Sequence, residues 1–314
     1  MKIKDIKNEI PELTLDCFVK TKQTKETKNN NPYYLLTLQD KTGEIDAKIW
    51  NVDKNIDAQQ IDTGQVLRVT GNASKFNDVI SITIKQFKIL KDADISDYVT
   101  EAPLSEHEMQ LKLFDYVTSI ENPLLQDLVK TSISEKNPKF FTQPAATSMH
   151  HDFKGGLSYH TLCMLDLAEG CMKVYKQLNR DLIVSGIIMH DIGKTDEITD
   201  FIKGDKTFSG QMLGHINIAN DLITRYQIKN DIPESNKTII ELKHIVLSHH
   251  GELEYGSNIT PKTPEAQIVH YIDQIDAKMM MFEKAFNGIE EDTFTKRIYP
   301  LHNSQVYKRG ALDE

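Results

Sequence analysis

Ile187-Ile188-Met189-His190-Asp191-Ile192-Gly193-Lys194 is the stretch that decides the reading of the larger part of this chain. It is the end of an apolar helix closing on an imidazole and a carboxylate, a pair that can clasp a divalent cation. Because each carboxylate oxygen can take one ion, Asp191 can also bridge two. The pair gains weight from what surrounds it in the chain. His160 precedes it, His215 and His249-His250 follow, and Asp273 and Asp276 close the series on a later helix. Each histidine candidate lies beside a glycine or at an expected helix terminus: after Gly155-Gly156, before Gly193, after Gly214, before Gly251. His244, His270 and His302 lack that setting and are read as packing residues. A mixed nitrogen and oxygen donor set suits Mn, Fe, Co, Ni or Zn better than Ca.

Two ions divide these donors sensibly. One site takes His160, His190, Asp191 and a carboxylate from the last helix; the other shares Asp191 and adds His215, His249 and His250. Asp273 and Asp276 are one turn apart, so either can be the last ligand, and the other can orient a ligand histidine. Between ions ~3.5–4 Å apart a bridging water loses its proton near neutral pH and can attack phosphorus. Lys194, next to this pair, is a candidate for a substrate phosphate oxygen, or else a surface lysine favoured by a helix C-terminus. His150-His151 and Lys154 precede His160 and are candidates for the scissile phosphate or terminal ribose, against a plain polar loop. Tyr255 and Ser257, in a glycine-flanked loop, are candidates for the last base or sugar.

Residues 1–90 have the other periodicity. Leu13–Val19, Tyr33–Leu38, Glu44–Trp50, Gln65–Gly71 and Val79–Ile84 read as about five strands, with Asp40-Lys41-Thr42-Gly43 as a turn. Five strands in that length point to an OB-type barrel, a fold that often holds single-stranded nucleic acid. Lys22, Lys25 and Lys28 with Tyr33, Tyr34, Trp50 and Phe76 offer charge and stacking faces; the alternative places the aromatics in the barrel core and the lysines in a solvated loop. Residues 91–105 show neither period and read as a linker. From 106 to 314 the apolar steps are helical, with Met279-Met280-Met281-Phe282 as helix core. The fold class expected is therefore α+β multidomain: an N-terminal five-stranded OB-type β-barrel followed by an all-α bundle.

The 314 residues carry a net charge of -9. Residues 1–90 hold 14 Lys+Arg against 12 Asp+Glu, net +2, and the remainder 23 against 34, net -11. Bound cations would neutralise part of the acidic excess, so the overall sign does not exclude a nucleic acid. Three cysteines without Cys-x-x-Cys spacing read as reduced cytosolic thiols. No apolar run suggests a membrane span and the polar start suggests no secretory signal, so a cytoplasmic location is expected.

His160, His190-Asp191 and Asp273 resemble the H…HD…D pattern of HD-domain metal-dependent phosphohydrolases. Gly155–His160, His190–Lys194, Ser248-His249-His250-Gly251-Glu252-Leu253-Glu254-Tyr255-Gly256-Ser257 and Pro264-Glu265-Ala266 narrow the likeness to YhaM-type 3′-5′ exoribonucleases, in which an OB-type domain precedes an HD domain. Glu254-Tyr255-Gly256 differs from the Gly-Tyr-Pro of the HD cyclic-dinucleotide phosphodiesterases. The resemblance implies cleavage of single-stranded RNA, and also of single-stranded DNA, from the 3′ end to nucleoside monophosphates, with manganese or a similar divalent ion. It places His160, His190, Asp191 and Asp273 in the metal core and His215, His249 and His250 at a second ion. The competing expectations are an HD phosphohydrolase of small nucleotides and a non-catalytic nucleic-acid-binding factor. Homo-oligomer formation is left open.

Overall fold

Alternation of side chains builds the N-terminal unit. In β3 (Gly43–Trp50) Ile45, Ala47 and Ile49 are buried between exposed Glu44, Asp46 and Trp50, the period-two pattern of a half-buried strand. The computed structural model describes residues 1–312 except 55–56, 77–78, 147–150 and 203, and the backbone alone of Lys54 and Tyr255. It divides into two compact units, Met1–Thr100 and Glu101–Glu314. The division falls inside the stretch 91–105.

With β1 (Ile10–Glu26), β2 (Pro32–Asp40), β4 (Val66–Phe76) and β5 (Val79–Ile89), β3 closes a barrel in the order β1-β2-β3-β5-β4. All pairings are antiparallel except β3 with β5, which run parallel over Asp46–Lys48. The 17-residue β1 serves β2 along one part and β4 along another, shifting register at Val19/Thr21. Gly71 marks the bulge between β4 and β5: a Cβ there would fall 2.1 Å from the Thr83 carbonyl oxygen. Buried Asp40 secures the β2–β3 turn by accepting from the backbone N–H of Thr42 at 2.7 Å and of Ile3 at 2.9 Å. Tyr34 departs from its expected stacking role: it faces inward with Leu36 and Leu38 and is only 9% exposed.

The second unit is helical: α1 (Glu106–Thr118), α2 (Pro123–Lys136), α3 (Lys139–Thr142), α4 (Gly156–Val174), α5 (Arg180–His190), α6 (Lys194–Glu197), α7 (Phe208–Lys229), α8 (Lys237–Ser248) and α9 (Pro264–Phe286). Every residue of α5 from Leu182 to His190 is buried, because α2, α4, α7, α8 and α9 all pack on it. A helix apolar all round has to sit in the middle of its bundle, and this one therefore delivers its polar end to the centre of the unit. The Asn179 side chain caps its start by accepting from Leu182 N–H at 3.1 Å. α7 kinks at Gly214 (φ 72°, ψ 156°), one residue before His215. Beyond α9, β6 (Thr293–Phe294) pairs with β7 (Tyr307–Lys308), and an Ile298–Ser304 bridge narrows the hairpin towards a 3-10 turn at Tyr299–Leu301 that packs on α9. Met279 is 56% exposed, so the methionine run is not wholly core. Among the described residues no helix is long and apolar enough to cross a membrane.

Candidate metal centre

Side chains from four helical elements meet at Asp191, the residue that caps the end of α5. Its Oδ2 lies 3.2 Å from His190 Nε2 and 4.0 Å from Nε2 of His160 on α4. Its Oδ1 lies 3.4 Å from Nε2 of His215 on α7 and 3.8 Å from Nε2 of His249, just past α8. Asp273 on α9 completes the ring, Oδ1 3.3 Å from His160 Nε2. The two carboxylate oxygens thus address two different histidine sets. One group of potential ligand atoms comprises His160, His190 and Asp191, a second His215, His249 and His250, each within 4.8 Å. Gly193 permits the convergence, since a Cβ there would sit 2.0 Å from the His215 carbonyl oxygen.

Behind the ring, each imidazole is held by its Nδ1. His190 is bonded to the Ile187 carbonyl at 2.6 Å, His249 to that of Val246 at 2.7 Å, His215 to Glu197 Oε2 at 3.1 Å and His160 to Asp276 Oδ2 at 2.6 Å. A proton on Nδ1 leaves the Nε2 lone pair aimed at Asp191, the arrangement that outer partners impose on metal-ligating histidines. His270 steadies the His249 backbone by donating from Nδ1 to its carbonyl at 2.8 Å. Nε2 of His190, His215 and His249 and Oδ1 of Asp191 are buried without a hydrogen-bond partner among the described residues. Each such atom costs about 1–3 kcal/mol, and four on one centre fit divalent cations.

The charges agree with that fit. Burial alone would raise the Asp191 carboxyl, yet Lys194 and His190 hold it well below the usual carboxylate range. Burial pushes His249 well below its ordinary value and His250 down as well, His190 and His215 adding to the effect, so both imidazoles favour the neutral form that a metal-binding role needs. Burial disfavours the imidazolium of His160, but Asp273 and Asp276 outweigh it and raise the group to about 9. Glu197, opposed by burial but bonded to His215 and Lys206, is held down at about 2.

A cavity of about 670 Å³ opens beside the centre, and Asp191, Lys194, His249, His250 and Asp273 are among the residues that line it. Lys194 lines the cavity and donates to Asp191 Oδ2. His151 does not meet the cavity: it is 1% exposed, behind His160, with Nε2 2.6 Å from Asp276 Oδ2. Its ring therefore backs the Asp276 carboxylate that also meets His160 Nδ1. Lys154 is paired with Glu101 at 3.0 Å, and Ser257 is buried, its hydroxyl donating to the carbonyls of Ile259 and Leu247; neither lines the cavity. His150 and the Tyr255 side chain lie outside the described residues. Sequence reasoning missed Glu197, whose signal is only its spacing from Lys194, and His302, set aside as packing yet lining the cavity.

On the outer face of the barrel Tyr33 and Trp50 sit side by side, ring centroids 4.7 Å apart. Lys25 pairs with Tyr33 in register, and Lys48, not singled out from the sequence, lies 5.9 Å from the Trp50 ring. Lys22 is drawn back, donating to the Ile61 carbonyl and lying over the ring of buried Tyr34.

An OB-fold nucleic-acid-binding domain followed by an HD domain is the class this fold and site define, and family comparison gives the same order. Residues 18–90 match the first and residues 157–278 the second. The chain is 36% identical over 283 residues to the 3'-5' exoribonuclease YhaM of Geobacillus sp. (strain WCH70), covering 89% of this chain and 86% of that protein. It belongs to the YhaM family. Among solved structures, it is 19% identical to the second OB-fold domain of replication protein A from Methanococcus maripaludis, over 30% of this chain and 97% of that one (TM-score 0.25). It is also 19% identical to the HD domain of the L. monocytogenes phosphodiesterase PgpH, over 51% and 74% (TM-score 0.29).

Proposed function

We propose that this chain is a metal-dependent 3′-5′ exoribonuclease that shortens single-stranded RNA, and also single-stranded DNA, to nucleoside monophosphates. The observation that carries the reading is the division of Asp191, Oδ2 towards His160 and His190 and Oδ1 towards His215 and His249. In this reading His160, His190, Asp191 and Asp273 hold one ion, and Asp191, His215, His249 and His250 the other. Manganese is the ion proposed, on the likeness to the YhaM family; the imidazole and carboxylate donor set equally accommodates iron, cobalt, nickel or zinc. When bound, the ions activate water and offset charge on the phosphoryl oxygens.

The chain's own groups do the rest. Lys194 exchanges its contact with Asp191 for a phosphate oxygen and stabilises charge there. Asp276, backed by His151, keeps the His160 proton on Nδ1. The Tyr33 and Trp50 rings carry successive bases while Lys25 and Lys48 meet the backbone, a sequence-tolerant mode. Three free thiols, at Cys17, Cys163 and Cys171, suit the cytoplasmic location proposed.

Asp191→Asn tests the reading with a 5′-labelled oligonucleotide. Wild type yields a ladder of shortening products in Mn2+; the variant yields none while binding the strand as before. A ladder of full intensity from the variant would overturn the mechanism, and wild-type turnover of free mononucleotides alone would replace it with a small-nucleotide phosphohydrolase.

A further inference from the structure

The cavity beside the metal centre has a second wall that hydrolysis does not use. Past Asp273, α9 contributes Gln274, Lys278 and Met281, and the tip of the hairpin arm contributes Tyr299, His302 and Asn303. The tip is anchored. Leu301 at 6%, Thr295 at 4% and Val306 at 8% exposure root it in the unit, and Asn303 N–H donates to the Tyr299 carbonyl at 3.1 Å, Ser304 N–H to that of Leu301 at 3.0 Å. His302 and Asn303 both hold left-handed backbone, φ 55° and 54°, uncommon for residues with a side chain and frequent at ligand clamps. On this fixed turn the Tyr299 side chain is left 86% exposed, and Lys278 enters no ion pair among the described residues.

We propose that the arm tip is the subsite for the 3′-terminal nucleotide, with Tyr299 stacking on its base. The inference rests on the exonuclease reading above. The same cavity is lined by groups suited to ions and phosphate and by a bare aromatic ring. A volume of about 670 Å³ is that of a small-ligand pocket, with room for a terminal nucleotide. Stacking on one ring accepts every base, as an enzyme that removes each successive terminal residue requires.

The test compares Mn2+-loaded wild type, Tyr299→Ala and Tyr299→Trp on two oligonucleotides, one with an ordinary 3′ nucleotide and one ending in an abasic sugar. Tyr299→Ala should raise KM on the ordinary end roughly ten-fold with kcat nearly unchanged, and Tyr299→Trp should restore it. Wild type should lose a similar factor on the abasic end, where Tyr299→Ala loses nothing more. Unchanged kinetics in Tyr299→Ala, or equal losses on both ends, would overturn the subsite. Calorimetry with a nucleoside 5′-monophosphate and with ribose 5-phosphate gives a readout independent of turnover. Wild type should prefer the base-bearing ligand and Tyr299→Ala should not; a preference kept by the variant overturns the proposal. If wild type shortens neither strand, the hydrolytic reading fails and the calorimetry alone decides the subsite.

Discussion

Asp276 stands behind His160, its Oδ2 2.6 Å from Nδ1, whereas Asp273, one turn earlier on the same helix, faces Nε2 at 3.3 Å. In the proposed two-ion reading the two carboxylates do different work: Asp273 binds an ion, and Asp276 fixes the imidazole that binds one. Asp276→Asn should keep every ligand and lower metal affinity roughly 10–100-fold. Asp273→Asn, which removes a charged ligand, should cost more. Calorimetric titration of Mn2+ into each variant separates them, and equal affinities would mean the assignment of the two aspartates is wrong.

Metal binding should release a proton from His160. The free imidazole titrates near 6.5, and in the metal-free fold, where burial opposes the charge but Asp273 and Asp276 outweigh it, the value is about 9. A raised value means that protonation stabilises the metal-free fold in full below pH 6.5, and that this contribution is lost as pH rises through 9. Coordination needs the Nε2 lone pair, so ion affinity strengthens over the same window, by up to roughly ten-fold per pH unit. Titrations in buffers of different ionisation enthalpy at pH 7.5 should show about one proton released per protein, and the rise in Tm on adding Mn2+ should grow from pH 6.5 to 9. Binding heats that do not depend on the buffer would contradict this.

Glu197 offers a way to address the second of the two proposed ions alone. Its Oε2 is the partner of His215 Nδ1, and Lys206 holds its other oxygen at 2.8 Å. Neutralising it in Glu197→Gln leaves His160 and His190 untouched but loosens His215, so affinity for one ion should fall roughly 10–100-fold. Elemental analysis after dialysis should then show the metal-to-protein ratio dropping towards one. A ratio identical to wild type would remove Glu197 from the site.

What was legible in the sequence follows from how each signal is written in the chain. The apolar run before His190 made α5 visible, and the glycines near the histidines marked the start of α4 before His160, the end of α5 after His190, the kink in α7 before His215 and the turn after His249-His250. Alternation exposed the barrel strands, because one face of each packs inward. It could not say which face Tyr34 takes against Tyr33, since neighbours in a strand differ only by register. Glu197 and the partition between Asp273 and Asp276 were hidden because a carboxylate's role depends on which ring nitrogen it meets in three dimensions. The cavity wall from the arm was hidden for another reason: β6 and β7 are two residues each, too short for any periodicity.

That ambiguity between adjacent tyrosines yields a prediction for the barrel. Tyr33 stands on the outer face beside Trp50, so its ring is available to a base, whereas Tyr34 packs with Leu36 and Leu38 in the core. Tyr33→Ala and Trp50→Ala should each weaken binding of a single-stranded oligonucleotide by about 1–3 kcal/mol, leaving Tm within a degree or two of wild type. Tyr34→Ala should do the reverse, removing a buried ring at a cost of roughly 3 kcal/mol or more in stability. Because Lys25 and Lys48 flank the outer rings, binding should also weaken as salt rises, and less steeply in Lys48→Ala. Fluorescence anisotropy with catalytically silent Asp191→Asn as the background keeps the strand intact during the measurement. If Tyr34→Ala weakened binding while Tyr33→Ala did not, the strand would be held on a surface other than the β2–β3 face.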